Sequence, residues 1–162
     1  MGIDPGLTRM GVGVVAKEGH RLQLVSCDTI ATTPADAVPA RLEQLFDGVT
    51  GAIASWQPDG VAVERIFHSV NAKTLVPVAE ARGVALLAAA RSGLPVFEYA
   101  PLEVKLAIVG TGAATKEQIG FMVNRLLGGG VQAGTPDAAD ALAVAICHLH
   151  SYRMRAAGGV PR

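Results

Sequence analysis

The chain has 162 residues, 50% of them apolar and 17% charged, with 14 basic and 14 acidic side chains. That apolar content over one domain's length excludes a disordered chain, and a formal net charge of zero argues against a general polyanion binder. No apolar run approaches the ~20 residues of a membrane span, the start Met1-Gly2-Ile3-Asp4 lacks the basic and apolar regions of a secretory signal, and Cys27 and Cys147 supply neither a disulfide framework nor zinc spacing, so a cytoplasmic protein with no membrane role is expected.

The first elements read as strands. Residues 10–16 are rich in Gly and Val, and residues 21–31 alternate imperfectly, with Leu22, Leu24 and Ser26 against Gln23, Val25 and Cys27. The turn over 17–20 between them predicts a hairpin. Val38, Leu42, Leu45, Phe46, Val49, Ile53 and Trp56 recur at helical spacing, which predicts a helix over 36–56. The run 60–67 is short and β-branched, as in a buried strand. A long Ala/Leu/Val helix over 72–92 follows, then a strand over 94–99 and a short helix over 102–109. Thr115 with Gln118 three residues on makes a capping box, and that helix ends at Gly128-Gly129-Gly130. Thr135 as N-cap and Pro136 at the first helical position start a last helix that runs to 152. Residues 1–152 are expected as one domain and 153–162 as a flexible tail. A hairpin followed by alternating helices and strands predicts an α/β layer with helices covering a mixed sheet.

Charge is unevenly spread. Residues 1–64 hold 4 basic and 8 acidic side chains, and residues 65–136 hold 7 basic and 4 acidic. Four of the acids stand where a solvated charge is out of place. Asp4 follows Gly2-Ile3 at the end of the first strand, and Glu64 interrupts Val61-Ala62-Val63. Asp137 and Asp140 share one face of the last helix, which continues into the apolar stripe Ala141, Val144, Cys147. Each has a bland explanation: turn chemistry for Asp-Pro-Gly, a basic partner for Glu64, the helix dipole for Asp137. Asp140 is the hardest to explain away, because a buried charge needs a partner and no lysine or arginine nearby in sequence shares its face. Divalent ions answer for all four acids at once. Carboxylate oxygens suit Mg²⁺, and two such ions ~3.5–4 Å apart clamp both oxygens of a phosphodiester displacement.

At these residues the sequence resembles the RuvC family of Holliday junction resolvases, within the ribonuclease H-like nucleases. The stretches that carry the resemblance are Gly2-Ile3-Asp4-Pro5-Gly6, Val61-Ala62-Val63-Glu64-Arg65-Ile66-Phe67, Ala81-Arg82-Gly83-Val84, Pro95-Val96-Phe97-Glu98-Tyr99, Val104-Lys105 and Asp137-Ala138-Ala139-Asp140-Ala141-Leu142. They fall in the family's order and spacing. The resemblance implies a ribonuclease H-like α/β fold, a mixed five-stranded sheet flanked by helices on both faces. It implies that Asp4, Glu64, Asp137 and Asp140 form a catalytic quartet that binds two Mg²⁺, with Mn²⁺ as a substitute. Phe67 matches an aromatic that stacks on a junction base, and Lys105 and Lys116 match residues that contact the DNA backbone. Arg65, Lys73 and Arg82 are candidates to widen that basic surface.

The implied activity is paired, symmetric hydrolysis of four-way DNA junctions to 5′-phosphate and 3′-hydroxyl ends, in recombination and repair. The implied partners are a second copy of the chain, with the helix over 72–92 as the candidate dimer face, and the RuvA–RuvB branch-migration complex. Family members carry several apolar residues before the Gly-Ile-Asp. Here only Met1 precedes it, so a short first strand is expected. Three competing readings are an actin-like ATPase, which needs two lobes, a non-catalytic junction-binding module, and a ribonuclease acting on RNA or hybrid duplexes. His148 and His150 do not share a helix face and are expected as structural or surface residues. Both cysteines are expected as buried thiols.

Overall fold

The computed structural model of the chain describes residues 1–66, 72–130 and 134–157, with side chains throughout these except at 72–74 and 152–157. A five-stranded sheet forms the middle layer. Its strands are β1 (Gly2–Asp4), β2 (Arg9–Glu18), β3 (Arg21–Ala31), β4 (Val61–Glu64) and β5 (Val96–Tyr99), in the order β3-β2-β1-β4-β5. The β1–β2 and β2–β3 pairs are antiparallel, and β4 lies parallel to both β1 and β5. The sheet is mixed for a local reason. The β2–β3 turn at Gly19, with φ of 61°, closes a hairpin, whereas β4 and β5 are reached through helical crossovers that return the chain in the same direction.

The helices are α1 (Val38–Trp56), α2 (Ala72–Arg91), α3 (Pro101–Val109), α4 (Lys116–Leu126) and α5 (Pro136–Ala157). Strand parity assigns them to faces. Ile3, Met10, Val12, Val61 and Val63 point to one side, where Leu45, Val49 and Ile53 of α1 and Ala81, Ala85 and Ala88 of α2 cover them. Ala62 and Tyr99 point to the other, into a core with Val104 and Ile108 of α3, Ile119 and Val123 of α4, and Leu142, Val144 and Ile146 of α5. Helices thus cover both faces.

The β2–β3 register shifts between Val14 and Val15, where Val14 faces Ser26 and Val15 faces Leu24. Val25 is left over as a bulge and is exposed. This explains the imperfect alternation of β3, because Leu22 and Leu24 before the bulge, and Cys27 after it, pack on the same core. β1 is short, as expected, but it lies at the centre of the sheet with a neighbour on each side. Two glycines set how closely α5 lies on the sheet. A Cβ at Gly2 would overlap the carbonyl oxygen of Ala141, and one at Gly11 would overlap that of Asp137.

The capping box of α4 forms: Thr115 Oγ1 accepts from the Gln118 amide at 3.3 Å, and Gln118 Oε1 accepts from the Thr115 amide at 2.9 Å. Two expectations need correction. α5 continues past 152 to Ala157, over part of the segment expected as a tail, while 158–162 lie outside the described residues. Trp56 does not join the buried stripe of α1; it ends the helix and is exposed, because the helix has passed the edge of the core at Ile53. Among the described residues, no helix is long and apolar enough to cross a membrane.

Candidate active site

The pairing register places the first two acids. Gly2 stands beside Ala62 and Ile3 beside Val63, so Asp4 and Glu64 follow at the same level, at the carboxyl ends of two adjacent parallel strands. Parity turns both away from the face to which Ile3 and Val63 belong, toward the α5 side. The ends of adjacent parallel strands are where open α/β sheets present their ligands.

The other two acids come from the first turns of α5. Thr135 caps that helix, its Oγ1 accepting from the Ala138 amide at 3.2 Å. The Thr135 hydroxyl also hydrogen-bonds to the Thr29 hydroxyl of β3, which ties the helix start to the hairpin. Ala138, Ala141 and Leu142 are buried, so Asp137 and Asp140 are held at the rim of a helix whose next turns are locked in the core.

The four carboxylates act on one another. Burial first, and then the charges of Asp140, Glu64 and Asp137, together push Asp4 from 3.8 up to about 7, against the pull of Lys116. Glu64 is also raised, by burial first and then by Asp140. Two cations answer this charge. Lys116 Nζ lies 2.9 Å from Asp140 Oδ2, and that bond raises the lysine's own pKa. Arg9 Nε donates to Asp137 Oδ2 at 2.7 Å. Glu64, Asp140, Lys105 and Lys116 line a cleft of about 270 Å³, with Val104 and Ile119 in its wall.

Among the described residues, no three acidic, histidine or cysteine side chains close into a ready metal-ligand set; Asp137 and Asp140 are engaged by Arg9 and Lys116 instead. The donor chemistry nonetheless fits a hard divalent ion. The candidate donors are all carboxylate oxygens, and burial, with the neighbouring carboxylates behind it, raises Asp4 and Glu64.

The sequence near Asp140 offers no base on its face, and the partner comes from a different helix, as Lys116. Arg65 and Arg82 share one carboxylate: Arg82 Nη2 lies 2.7 Å from Glu98 and its side chain is only 19% exposed, whereas Arg65 Nε lies 3.8 Å away on a side chain that is 51% exposed, so the trio keeps a net positive charge on the Arg65 side. Phe67 lies outside the described residues, as does the side chain of Lys73. His148 is structural, with Nδ1 2.8 Å from the Tyr99 hydroxyl. Cys147 is buried, whereas Cys27 is only partly so. Arg9 was not among the sequence candidates. Its partner is 128 residues away, and nothing in the local sequence pairs them.

The sequence profile described as "Crossover junction endodeoxyribonuclease RuvC" matches residues 1–148. A protein of that name from Rubrobacter xylanophilus is 51% identical over 160 residues, covering 99% of this chain and 89% of its own. One from Syntrophomonas wolfei is 47% identical, covering 95% and 90%. Among solved structures, T. thermophilus RuvC in complex with Holliday junction substrate superposes with a TM-score of 0.88 at 36% identity, covering 94% of this chain and 93% of that one.

Proposed function

The chain belongs to the RuvC family of crossover junction endodeoxyribonucleases and is a hydrolase of four-way DNA junctions, and we propose that Asp4, Glu64, Asp137 and Asp140 are the carboxylates that carry the cutting. The observation behind this assignment is the convergence of acids from β1, β4 and α5, where burial and the neighbouring carboxylates raise Asp4 and Glu64. These four residues would hold Mg²⁺, two ions per site with Mn²⁺ as a substitute, and such ions activate water and stabilise the departing 3′ oxygen.

The chain's own groups do the rest. Lys105 and Lys116 line the cleft beside two of the acids and would hold the scissile phosphate, stabilising the charge that builds on it. Phe67 would stack on an opened base, and Lys73 would take a neighbouring phosphate. Arg65 and Arg82 would contact DNA only by leaving Glu98 or sharing it. The products are a 5′-phosphate and a 3′-hydroxyl. A strand-labelled synthetic four-way junction, beside linear duplex, tests the reading. Paired nicks confined to the junction, present with Mg²⁺ and absent with chelator, are expected. Tight binding without a cut in either Mg²⁺ or Mn²⁺ overturns it.

Symmetric nicks call for two sites, and α2 offers a face for a second copy. Val76 and Leu87 on its outer side are 55% and 53% exposed, with exposed Gly83 between them. They lie on one side of the helix, with the glycine leaving room for a close approach between them. Leu87→Glu is expected to convert a dimer to a monomer in sedimentation equilibrium and to uncouple the two nicks. A variant that sediments like the parent removes α2 from the interface. The proposed setting is the cytoplasm, alongside the RuvA–RuvB complex; failure of the chain to be retained on a junction preloaded with that complex would count against the partnership.

A further inference from the structure

Arg9 is the first residue of β2, on the same loop that leaves Asp4. Its Nε–Asp137 Oδ2 bond belongs to an exposed pair, with the arginine side chain 48% exposed, and such pairs add little to stability. The surroundings are nonetheless built to hold it. Leu7 and Thr8, just before Arg9, are fastened from below: Thr32 donates its amide to Thr8 O at 2.9 Å and its hydroxyl to Leu7 O at 2.6 Å. Arg41, buried at the end of this network, donates to the Thr32 and Thr8 hydroxyls at 2.9 and 2.8 Å. On the other side, the start of α5 is fixed by the Thr29–Thr135 bond and by the close approach to Gly11. Both ends of the Arg9–Asp137 contact therefore stand on rigid backbone.

We propose that Arg9 is a positioning residue for junction cleavage. It takes one oxygen of Asp137, fixes the plane of the carboxylate and presents the other oxygen for ion binding. This rests on Asp137 being an ion-binding carboxylate. Groups that orient metal-binding carboxylates are typically worth roughly 10- to 100-fold in affinity or activity.

The test compares Arg9→Ala, Arg9→Lys and Asp137→Asn in the full chain. It reads Mn²⁺ binding to the DNA-free protein by electron paramagnetic resonance, single-turnover cleavage at saturating junction, and junction affinity in chelator. Arg9→Ala is expected to bind Mn²⁺ about tenfold more weakly and to cut about tenfold more slowly, with chelator affinity for the junction little changed. Excess Mn²⁺ should restore its rate but not that of Asp137→Asn, and Arg9→Lys should recover part of the loss. Unchanged Mn²⁺ binding and saturated rate in Arg9→Ala, with weakened junction binding, would make Arg9 a phosphate contact and overturn the proposal. If Arg9→Ala fails to fold, Arg9→Lys decides: full Mn²⁺ affinity and rate with only a point charge would show that orientation through Nε is not needed. An Asp137→Asn chain that cuts normally would instead sink the site assignment beneath it.

Discussion

Asp140→Asn is expected to bind the four-way junction at least as tightly as the parent and to cut it about a thousandfold more slowly, the rate equivalent of losing several kcal/mol of ion-borne charge stabilisation. Asparagine keeps the shape and still accepts a hydrogen bond, so the contact from Lys116 Nζ, 2.9 Å in the parent, survives without its charge. Ala141, Leu142 and Val144 continue to anchor α5. Binding should persist because removing a negative charge beside a phosphate lowers repulsion. Gel-shift titration in chelator and single-turnover cleavage in Mg²⁺ check the two halves. Cleavage at the parent rate would remove Asp140 from the site.

The metal-free protein is expected to lose stability as pH rises from about 4 to about 7. The folded chain binds the Asp4 proton more tightly than the unfolded chain does, with a pKa of about 7 against 3.8. The stabilisation is therefore complete below the unfolded value and is lost as pH rises through the folded one. A gap of that size is on the order of 4 kcal/mol as an upper bound, and the raised Glu64 adds in the same direction. Asp4→Asn should flatten this slope, melting above the parent at about pH 8 in chelator while cutting nothing. Mg²⁺ should close the difference by stabilising the ionised parent. Thermal melts across this pH range, with and without Mg²⁺, decide it; an Asp4→Asn chain that melts below the parent at the alkaline end would show that Asp4 is not a burdened carboxylate.

Much of this arrangement is legible in the chain because it is local. The Thr115–Gln118 capping box, the Thr135-Pro136 start of α5 and the stripe of α1 from Leu42 to Ile53 depend on neighbours a few residues apart, and they form as written. The four acids stand out for a related reason, since each breaks an apolar pattern that its own element sets. What escapes is the pairing across elements. Lys116 reads as a solvated lysine at a helix start until α4 packs against α5 and brings it to Asp140. Arg65 and Arg82 read as free positive charge until β5 supplies Glu98. Arg9 and Asp137 meet only because the β1–β2 register and the seat of α5 are both fixed. The β3 bulge shows only as a fault in alternation, which has several possible causes until the partner strand is in place.

The glycine contacts under α5 bear on how the site can vary. At Gly2 and Gly11 the helix carbonyls already rest on strand backbone with no room for a methyl group, so the gap between sheet and helix stands at the hard stop set by peptide radii. No exchange of side chains can narrow it, and widening it opens voids in a close-packed core. The span between the acid on β1 and those on α5 is therefore a backbone dimension. Accommodating ions of different radius would fall to rotation of the carboxylates, since the Thr29–Thr135 bond also holds the helix start along its axis. The molecule has a fixed clearance between sheet and helix, and adjustment only in the side chains that reach across it.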